Sequence, residues 1–401
     1  MQTLSRYARF RAAIAGERLP IALVDLDAFE SNLARLLAPI RVAGKTLRVA
    51  SKSVRVPALL ARVLAAPGTR GVMTYAASET LELAGEGISD LLLAYPTVQR
   101  PDVDAIAAAS ERATVTTVCD SPDHLDALAG AARRVGRVLR VALEVDLSYR
   151  PMGKRIHLGV RRSPLRTASD IVALADRVAA TEGLKFVGVM GYEAHIAGLG
   201  DSFVGDKVGS MAKRALKLAA RREVERTRRE ISDALHARGH AVEIFNGGGS
   251  GSVDWTAQEP WLTEVTAGSG LLDSHLFDHY RDITFESAAF FALQVVRRPC
   301  TGMVTCLGGG FIASGQAGPD RLPIPALPEG ASLLSLEGAG EVQTPVVLPR
   351  GVDVAPGEPI FFRHAKAGEL AEHFMEYLLV RGDSIVERVP TYRGRGWCFL
   401  G

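Results

Sequence analysis

The chain has 401 residues, of which 47% are hydrophobic and 23% are charged, close to the averages for soluble globular proteins. These values exclude a disordered chain, a collagen-like fibre and a coiled coil, and the length predicts two or three domains. The formal net charge is only +2, so the chain has no strong electrostatic field for holding nucleic acid. We therefore expect no nucleic-acid partner, and any anion must be bound by local geometry.

Cysteine usage and hydropathy bear on the compartment. The four cysteines show no metal-ligand spacing, and a chain of this length does not need disulfide bonds, so we expect reduced thiols in the cytoplasm. No apolar run approaches the length of a membrane span, so we expect no membrane partner. The first residues carry Arg6, Arg9 and Arg11 without an acid, as in a transit peptide. A surface helix with Tyr7 and Phe10 on its apolar face explains the same residues, and we favour it.

From residue 47 to 273, short apolar runs alternate with longer amphipathic segments rich in Ala, Leu and Arg. Strands are predicted at residues 47–51, 71–75, 91–95, 114–119, 139–146, 186–192, 242–245 and 264–267. Helices are predicted between them, at 56–64, 79–85, 103–112, 122–135, 168–180 and 210–238. This alternation indicates right-handed βαβ units and a parallel sheet. We predict an α/β fold with a (β/α)8 TIM-type barrel over residues 25–273, and a doubly wound open sheet is the competing architecture.

After Asp273 the helical pattern stops. Short β-rich segments broken by Gly and Pro are found at 292–297, 302–307, 333–337, 359–363 and 377–381, and they predict an antiparallel β domain after the barrel. We expect the strand at 21–24 to pair with it, so that residues 1–24 and 274–401 form one domain. Asp27 and Glu30 have the spacing of a capping box, which predicts the start of a helix through Leu37.

The helix predicted at 210–238 carries five arginines between residues 221 and 229. They would form either an anion-binding patch or the solvated outer face of a barrel helix. Because acidic residues partly compensate them and the overall charge is nearly neutral, we favour the solvated face.

Lys52 and two glycine-rich segments carry the chemical prediction. Lys52 follows the first barrel strand, where partial desolvation would favour the uncharged amine that forms a Schiff base, although an exposed loop lysine explains the position as well. Residues 246–252 (NGGGSGS) and 267–270 (AGSG) follow the seventh and eighth strands. In barrels, the loops after these strands commonly bind phosphate through backbone N–H groups. A lysine and a phosphate site at one barrel mouth point to pyridoxal phosphate as the cofactor.

Three segments give the chain a resemblance to a known family. Residues 21–27, 48–52 and 85–94 (GEGISDLLLA) are similar to the opening and third-strand segments of the fold-type III pyridoxal-phosphate enzymes, the alanine racemase N-terminal-domain type. The resemblance is closest to the D-threonine aldolase and D-serine dehydratase branch, in which a β domain follows the barrel. It implies that Lys52 holds the cofactor as a Schiff base. It also implies that the phosphate is held by Gly249, Ser250, Gly251, Gly268 and Ser269.

The resemblance implies three further residues around the cofactor. The family places an arginine after the fifth strand, on the pyridine nitrogen, and Arg150 is the best match, with Arg161 and Arg162 as substitutes. A cationic donor there would keep that nitrogen unprotonated. Tyr192, at the end of the sixth strand, is expected to contact the cofactor. His195 occupies the position of a family tyrosine and either transfers a proton or packs against the cofactor.

The β domain departs from the family pattern. The aldolase and dehydratase branch binds a divalent metal through a His-x-Asp or His-x-Cys pair, but here the pair reads His364 and Lys366. Because an ammonium cannot bind a metal, we predict no metal site and expect Lys366 to supply the positive charge instead. Metal binding through His364 with Glu369 or His373 is the alternative.

The predicted function is a lyase of the aldolase type that acts on a small D-configured or α-substituted β-hydroxy amino acid. His364 or His195 would accept the β-hydroxyl proton as the Cα–Cβ bond breaks, and Lys366 would stabilise the developing alkoxide. The same residues suit a dehydratase or deaminase.

Three other functions remain open: a racemase, a non-catalytic pyridoxal-phosphate-binding protein and a metabolite-binding barrel without a cofactor. A racemase of this fold takes a tyrosine from the partner's β domain, for which Tyr377 and Tyr392 are candidates. A non-catalytic pyridoxal-phosphate-binding protein of this type is usually a barrel alone, so the β domain argues against it. The resemblance implies a homodimer in which the β domain of one chain closes the barrel mouth of the other.

Overall fold

The computed structural model describes residues 5–203 and 205–400, apart from the side chain at residue 154. The described chain begins with helix α1 (Arg6–Ala13), strand β1 (Ile21–Asp25) and helix α2 (Leu26–Val42). Ser5 caps α1 by accepting a hydrogen bond from the backbone N–H of Ala8. Residues 1–4 and 401 of the predicted β domain lie outside the described part of the chain.

Eight parallel strands form a closed barrel, so the TIM-type prediction is confirmed and the open sheet is excluded. The strands are β2 (Thr46–Ala50), β3 (Thr69–Thr74), β4 (Asp90–Leu93), β5 (Thr114–Cys119), β6 (Leu139–Glu144), β7 (Leu184–Gly191), β8 (Ile244–Gly247) and β9 (Glu264–Ala267). Each corresponds to a predicted strand. Most of their residues are buried, because helices cover the outside of the barrel and side chains fill its inside.

The barrel helices follow the amphipathic segments of the sequence. They are α3 (Pro57–Leu64), α4 (Ala77–Gly85), α5 (Arg100–Ala109), α6 (Pro122–Val135), α7 (Ala168–Ala180), α8 (Ala194–Ala197), α9 (Lys207–Arg238), α10 (Val253–Thr256) and α11 (Ser269–Leu272). The residues at the two ends of α6 explain where this helix begins and ends. The Ser121 side chain caps its amino terminus, and Gly136 ends it in the left-handed conformation.

The strands after the barrel pair with β1 in a second sheet. They are β10 (Ala289–Cys300), β11 (Met303–Leu307), β12 (Ile324–Leu327), β13 (Ser332–Leu333), β14 (Gln343–Val347), β15 (Pro359–Arg363), β16 (Glu376–Arg381) and β17 (Ser384–Pro390). Strand β1 lies between β10, to which it is antiparallel, and β16, to which it is parallel. The remaining pairs of this sheet are antiparallel.

Two local predictions are wrong. The strand expected at 333–337 ends at Leu333, because the chain turns there and the backbone N–H of Gly338 bonds to Leu334. The capping box is absent, because α2 begins one residue before Asp27, and Asp25 at its start makes no side-chain cap. Asp27 and Glu30 instead accept hydrogen bonds from Arg381 of β16.

Ion pairs lie at the two places where the chain passes between the sheet and the barrel. The Asp25 carboxylate, at the end of β1, accepts hydrogen bonds from Arg6 at 3.1 Å and from Arg9 at 2.8 Å. Arg363 on β15 bonds to Asp273 and Asp278, both in the segment that leaves the barrel.

The arginines of α9 do not form one patch. Arg228 is fully buried, while its neighbours are exposed or half-buried. The favoured solvated face therefore describes the helix except at Arg228. Among the described residues, no helix is long and apolar enough to cross a membrane.

Candidate active site

A cavity of about 710 Å³ lies at the carboxyl ends of the barrel strands, and we call it the barrel-mouth cavity. Both units line it: the barrel contributes Lys52 and the two glycine-rich loops, and the β domain contributes Lys366 and Glu369. A second cavity, of about 840 Å³, lies near the starts of β3 and β4 and is lined by the outer face of α3. Because barrel enzymes carry their chemistry at the carboxyl ends of the strands, the barrel-mouth cavity is the candidate active site.

Lys52 reaches this cavity from the end of β2. It lies in a one-turn 3-10 helix, Ser51–Ser53, directly after the strand. Its Nζ donates a 2.8 Å hydrogen bond to the hydroxyl of Tyr95, which follows β4. The lysine is therefore held on the cavity wall and is not an exposed loop residue.

The two glycine-rich loops meet at Ser250. Its Oγ accepts hydrogen bonds from the backbone N–H groups of Gly268, at 3.3 Å, and Gly270, at 2.9 Å. This leaves the Ser250 O–H free to donate to an anion in the cavity. Gly249 and Ser269 also lie on the cavity wall.

Gly251 is not among the residues that line the cavity, contrary to the prediction. A Cβ at this position would contact the carbonyl of Ala197 and the ring of Tyr280. The glycine therefore permits the loop to pack against α8, which is a structural reason for it. The remaining glycines have related constraints: a Cβ on Gly268 would lie 2.8 Å from the carbonyl of Ala50.

A buried network of ion pairs and hydrogen bonds lies next to the first glycine-rich loop, and the sequence did not predict it. The Glu193 carboxylate accepts hydrogen bonds from the backbone N–H of Gly248 at 3.1 Å, from Ser252 at 2.8 Å and from Thr256 at 2.6 Å. Arg228 of α9 also donates to it at 2.6 Å. Burial would raise the pKa of Glu193, but Arg228 and these donors hold it below its usual value.

Arg228 also donates to Glu259, so one arginine joins two glutamates. Burial raises the pKa of Glu259 to about 7 despite this contact. The sequence gives little sign of this network, because the partners of Glu193 are far away along the chain. The one signal is that Glu193 lies next to Tyr192, a residue expected at the cofactor.

Arg162, and not Arg150, lines the barrel-mouth cavity. The Arg150 guanidinium donates to Asp146 at 2.6 Å and to Ser148 at 3.1 Å, which turns it toward the loop after β6. Arg162 extends over the rings of Tyr95 and Tyr192, 5.4 and 5.7 Å from their centroids. Arg162, one of the two substitutes, is therefore the arginine of this loop that the structure brings to the cavity, and the residue that meets the cofactor stays a prediction.

Tyr192 and Glu144 complete this side of the site. Tyr192 lines the cavity as expected, and burial raises the pKa of its phenol to about 12. Glu144, at the end of β6, is buried and lies 3.9 Å from Arg162. Burial raises the pKa of Glu144 to about 7, and Arg162 opposes that shift.

His195 does not line the cavity among the described residues. It is buried in α8, and neither ring nitrogen has a hydrogen-bond partner in the part of the chain that the structure describes. Burial lowers its pKa. The side chain lies beside the loop after β6, where a Cβ on Gly159 would come 3.2 Å from its Nδ1. These contacts favour the packing interpretation over proton transfer.

His364 and Lys366 occupy different environments. His364 is buried, is not among the cavity-lining residues, and burial together with Arg363 lowers its pKa to about 3. The structure therefore does not bring His364 to the cavity wall, and its proton-accepting role stays a prediction. Lys366 does line the cavity, where its Nζ donates to Ser314 at 2.7 Å and pairs with Glu369 at 3.1 Å.

The sequence model of the alanine racemase N-terminal domain matches residues 24–273, more than half of the chain. The chain belongs to the alanine racemase N-terminal domain family. This membership confirms the resemblance to the fold-type III pyridoxal-phosphate enzymes.

Two relatives within this family are aldolases by name. A D-threonine aldolase from an Arthrobacter species is 24% identical over 306 residues, which are 76% of this chain and 74% of that relative. A 3-hydroxy-D-aspartate aldolase from Paracoccus denitrificans is 27% identical over 252 residues, which are 62% of this chain and 59% of that relative. The chain thus spans less than two thirds of the second relative.

Solved structures share the whole architecture of this family member. The D-threonine aldolase from Filomicrobium marinum has a TM-score of 0.80 at 22% identity and covers 94% of this chain and 96% of its own. D-threo-3-hydroxyaspartate dehydratase from Delftia sp. HT23 has a TM-score of 0.75 at 18% identity, with 94% and 98% covered. At these identities the two structures establish the fold.

The residues of the barrel-mouth cavity fit pyridoxal phosphate, the cofactor expected for this family. The lysine amine suits its aldehyde, and the Ser250 hydroxyl with the glycine-rich loops suits its phosphate. Arg162 is a cationic donor that suits the ring nitrogen. Among the described residues, no group of three His, Cys, Asp or Glu side chains could hold a metal ion.

The two tyrosines considered for a racemase are buried within their own chain. Tyr377 is fully buried, and Tyr392 donates its hydroxyl to Glu79 at 2.9 Å. Neither side chain is therefore available to a partner subunit.

Proposed function

We propose that this family member is a pyridoxal-phosphate-dependent lyase of the aldolase type. It would cleave a small D-configured or α-substituted β-hydroxy amino acid into an amino acid and an aldehyde. The observation that carries the proposal is the barrel-mouth cavity, where Lys52 and the phosphate loops face Lys366 of the β domain. The two relatives named as aldolases support the same reaction class.

The cofactor, when bound, supplies an electron sink for the electron pair left at Cα as the Cα–Cβ bond breaks. Lys52 would hold it, the Ser250 hydroxyl would donate to its phosphate, and Arg162 would donate to its ring nitrogen. A cation at that nitrogen keeps it unprotonated and so moderates the electron sink.

Lys366 would act on the substrate hydroxyl. Its ammonium lies on the cavity wall, so it would stabilise the negative charge that develops on the β-oxygen. Glu369 is on the same wall and hydrogen-bonds to Ser314 at 2.5 Å. Burial would raise the pKa of Glu369, but the hydrogen bonds from Ser314 and the contact with Lys366 lower it below its usual value. The Glu369 carboxylate would accept the hydroxyl proton.

The proposed function is tested by product analysis. The purified protein, supplied with pyridoxal phosphate, is incubated with D-threonine, D-serine and their L forms, and aldehyde, keto acid and isomer are assayed. We expect aldehyde from the D substrate, with the rate unchanged by a chelator. A keto acid would instead favour the dehydratase, the alternative suggested by the dehydratase among the similar folds, and interconversion of isomers alone would identify a racemase.

We also propose that the protein is a cytoplasmic homodimer. Apolar side chains exposed on the β domain, among them Ile312, Leu336 and Val342, would contact the partner. Light scattering would show twice the chain mass of 42.8 kDa. A monomer with full activity would contradict this arrangement.

A further inference from the structure

Tyr95 is a cavity residue to which the proposed function gives no role. It lies two residues after Leu93, the last residue of β4, and it lines the barrel-mouth cavity beside Lys52. Its hydroxyl oxygen accepts the 2.8 Å hydrogen bond from Lys52 Nζ. The contact involves the nitrogen that must react with an aldehyde cofactor, so the phenol is in direct contact with a reacting atom.

This contact meets a chemical requirement. An ordinary lysine amine is protonated near neutral pH, and the ammonium has no lone pair with which to attack an aldehyde. A group that removes its proton must lie within hydrogen-bond distance of Nζ. The Tyr95 hydroxyl oxygen lies at this distance, 2.8 Å from Lys52 Nζ.

The surroundings of Tyr95 favour its ionised form. Burial would raise the pKa of the phenol, but the charges of Lys52 and Arg162 outweigh burial and lower it below the usual value. The carboxyl group of Glu144 opposes this effect, and the Tyr192 phenol also interacts with Tyr95. At several other tyrosines, including Tyr192 and Tyr280, the shift has the opposite sign, because burial raises the pKa of the phenol.

We propose that Tyr95 is a catalytic residue that removes the proton from Lys52. The proton moves from Nζ to the phenolate oxygen: an O–H bond forms, and the electron pair of the N–H bond stays on nitrogen as a lone pair. Lys52 becomes a neutral amine and Tyr95 a neutral phenol. Because the exchange is reversible, the same pair returns the proton when Lys52 is set free by a substrate amine.

The inference rests on the proposed function, since it assumes an aldehyde cofactor, but its first test does not need one. Phenol ionisation is followed by ultraviolet absorbance as the pH is raised, in the full chain without cofactor. We expect one of the eight tyrosines to ionise below the others. That step should disappear in Tyr95→Phe, move to higher pH in Lys52→Met, and persist in Tyr7→Phe. A wild-type curve without the early step overturns the inference.

The second test measures attachment of pyridoxal phosphate to Lys52 by its absorbance. Tyr95→Phe keeps the ring beneath Arg162 and removes only the hydroxyl, so we expect attachment at neutral pH to slow by about 100-fold. The deficit should vanish in alkaline solution, where solvent deprotonates the lysine, and Tyr7→Phe should match the wild type. Equal rates in Tyr95→Phe and wild type at neutral pH would overturn the inference and leave the proposed function intact. No attachment in the wild type would contradict the proposed function, and the phenol titration would then decide the inference.

Discussion

At the scale of single residues, the site depends on which cations face the barrel-mouth cavity. Lys52, Arg55, Arg162 and Lys366 line it, whereas Arg150 is turned away and bonds to Asp146. A cofactor phosphate and a substrate carboxylate would together bring at least two negative charges, so these cations would set both affinity and orientation. Because the chain as a whole is nearly neutral, the attraction for these anions would come from the cations at the cavity.

The two arginines can be compared directly. Arg162→Ala should raise the dissociation constant for pyridoxal phosphate by about tenfold or more, because a charged hydrogen bond and the contacts over two tyrosine rings are lost. Arg150→Ala is the matched control and should change it less than about threefold, since Arg166 still pairs with Asp146. Fluorescence titration of both variants measures the difference. A larger loss in Arg150→Ala would restore the original assignment.

Lys366 provides a second comparison at this scale. Replacing it by Met removes the cation beside the substrate oxygen and should lower kcat by about 100-fold, the usual effect of losing one oxyanion donor. Lys366→Arg, which keeps the charge, should retain more activity. Rates are measured with and without a chelator. Loss of wild-type activity on chelation, restored by zinc or manganese, would show that a metal supplies the charge.

At the scale of elements, the glycine-rich loop after β8 is fixed by hydrogen bonds to Glu193, which lies just after the end of β7. This carboxylate bonds to the loop at Gly248 and Ser252 and to Arg228 of α9, all in buried positions. Through these hydrogen bonds, Glu193 links the end of β7 to the glycine-rich loop and to α9. Removing it leaves donors and a buried guanidinium short of acceptors, which costs more than the lost contacts alone.

Glu193→Ala should accordingly lower the free energy of unfolding by about 3 kcal/mol or more, measured by denaturant titration. It should also weaken the binding of pyridoxal phosphate more than that of pyridoxal, because this loop is the proposed phosphate site. Glu230→Ala, an exposed change on α9, serves as the control and should alter neither quantity appreciably. Equal weakening of both ligands would argue against a phosphate site at this loop.

The sequence predicts the elements better than the site. All eight barrel strands were predictable because each is a short, largely apolar run, and an amphipathic helix follows each of the first six while a glycine-rich loop follows each of the last two. Arg162 was not distinguishable from Arg150, since both lie in an irregular loop whose path has no periodic signal. Glu193 was missed because Arg228 and Thr256 come near it only in the folded barrel. The burial of His364 was likewise invisible, because it follows from packing between two distant segments.

At the scale of the whole molecule, buried ion pairs and hydrogen bonds join the barrel to the surrounding segments. Glu79 of α4 is fully buried and accepts hydrogen bonds from the backbone N–H of Tyr75, at 2.7 Å, and from the hydroxyl of Tyr392 near the carboxyl end. Burial raises its pKa from 4.5 to about 7. The contact of Glu79 with these distant segments is therefore expected to depend on pH.

The sign of this dependence is set by proton binding. Between about pH 4.5 and 7 the folded protein binds a proton at Glu79 that the unfolded chain releases, so its contribution to stability is lost as the pH rises. Glu79→Gln cannot ionise and should gain stability relative to wild type between about pH 5 and pH 8, by up to about 3 kcal/mol. Glu82→Gln, exposed on the same helix, should show no such trend. Parallel curves for Glu79→Gln and wild type would contradict this account.

The central claim is that Lys52 at the barrel mouth binds pyridoxal phosphate covalently. It is tested by mixing the protein with the cofactor, reducing the mixture with borohydride and locating the added mass by peptide mass spectrometry. We predict one modified residue per chain, at Lys52, with no modification in Lys52→Ala at the same cofactor concentration. Absence of the adduct at Lys52, or an equal adduct in Lys52→Ala, would contradict the claim.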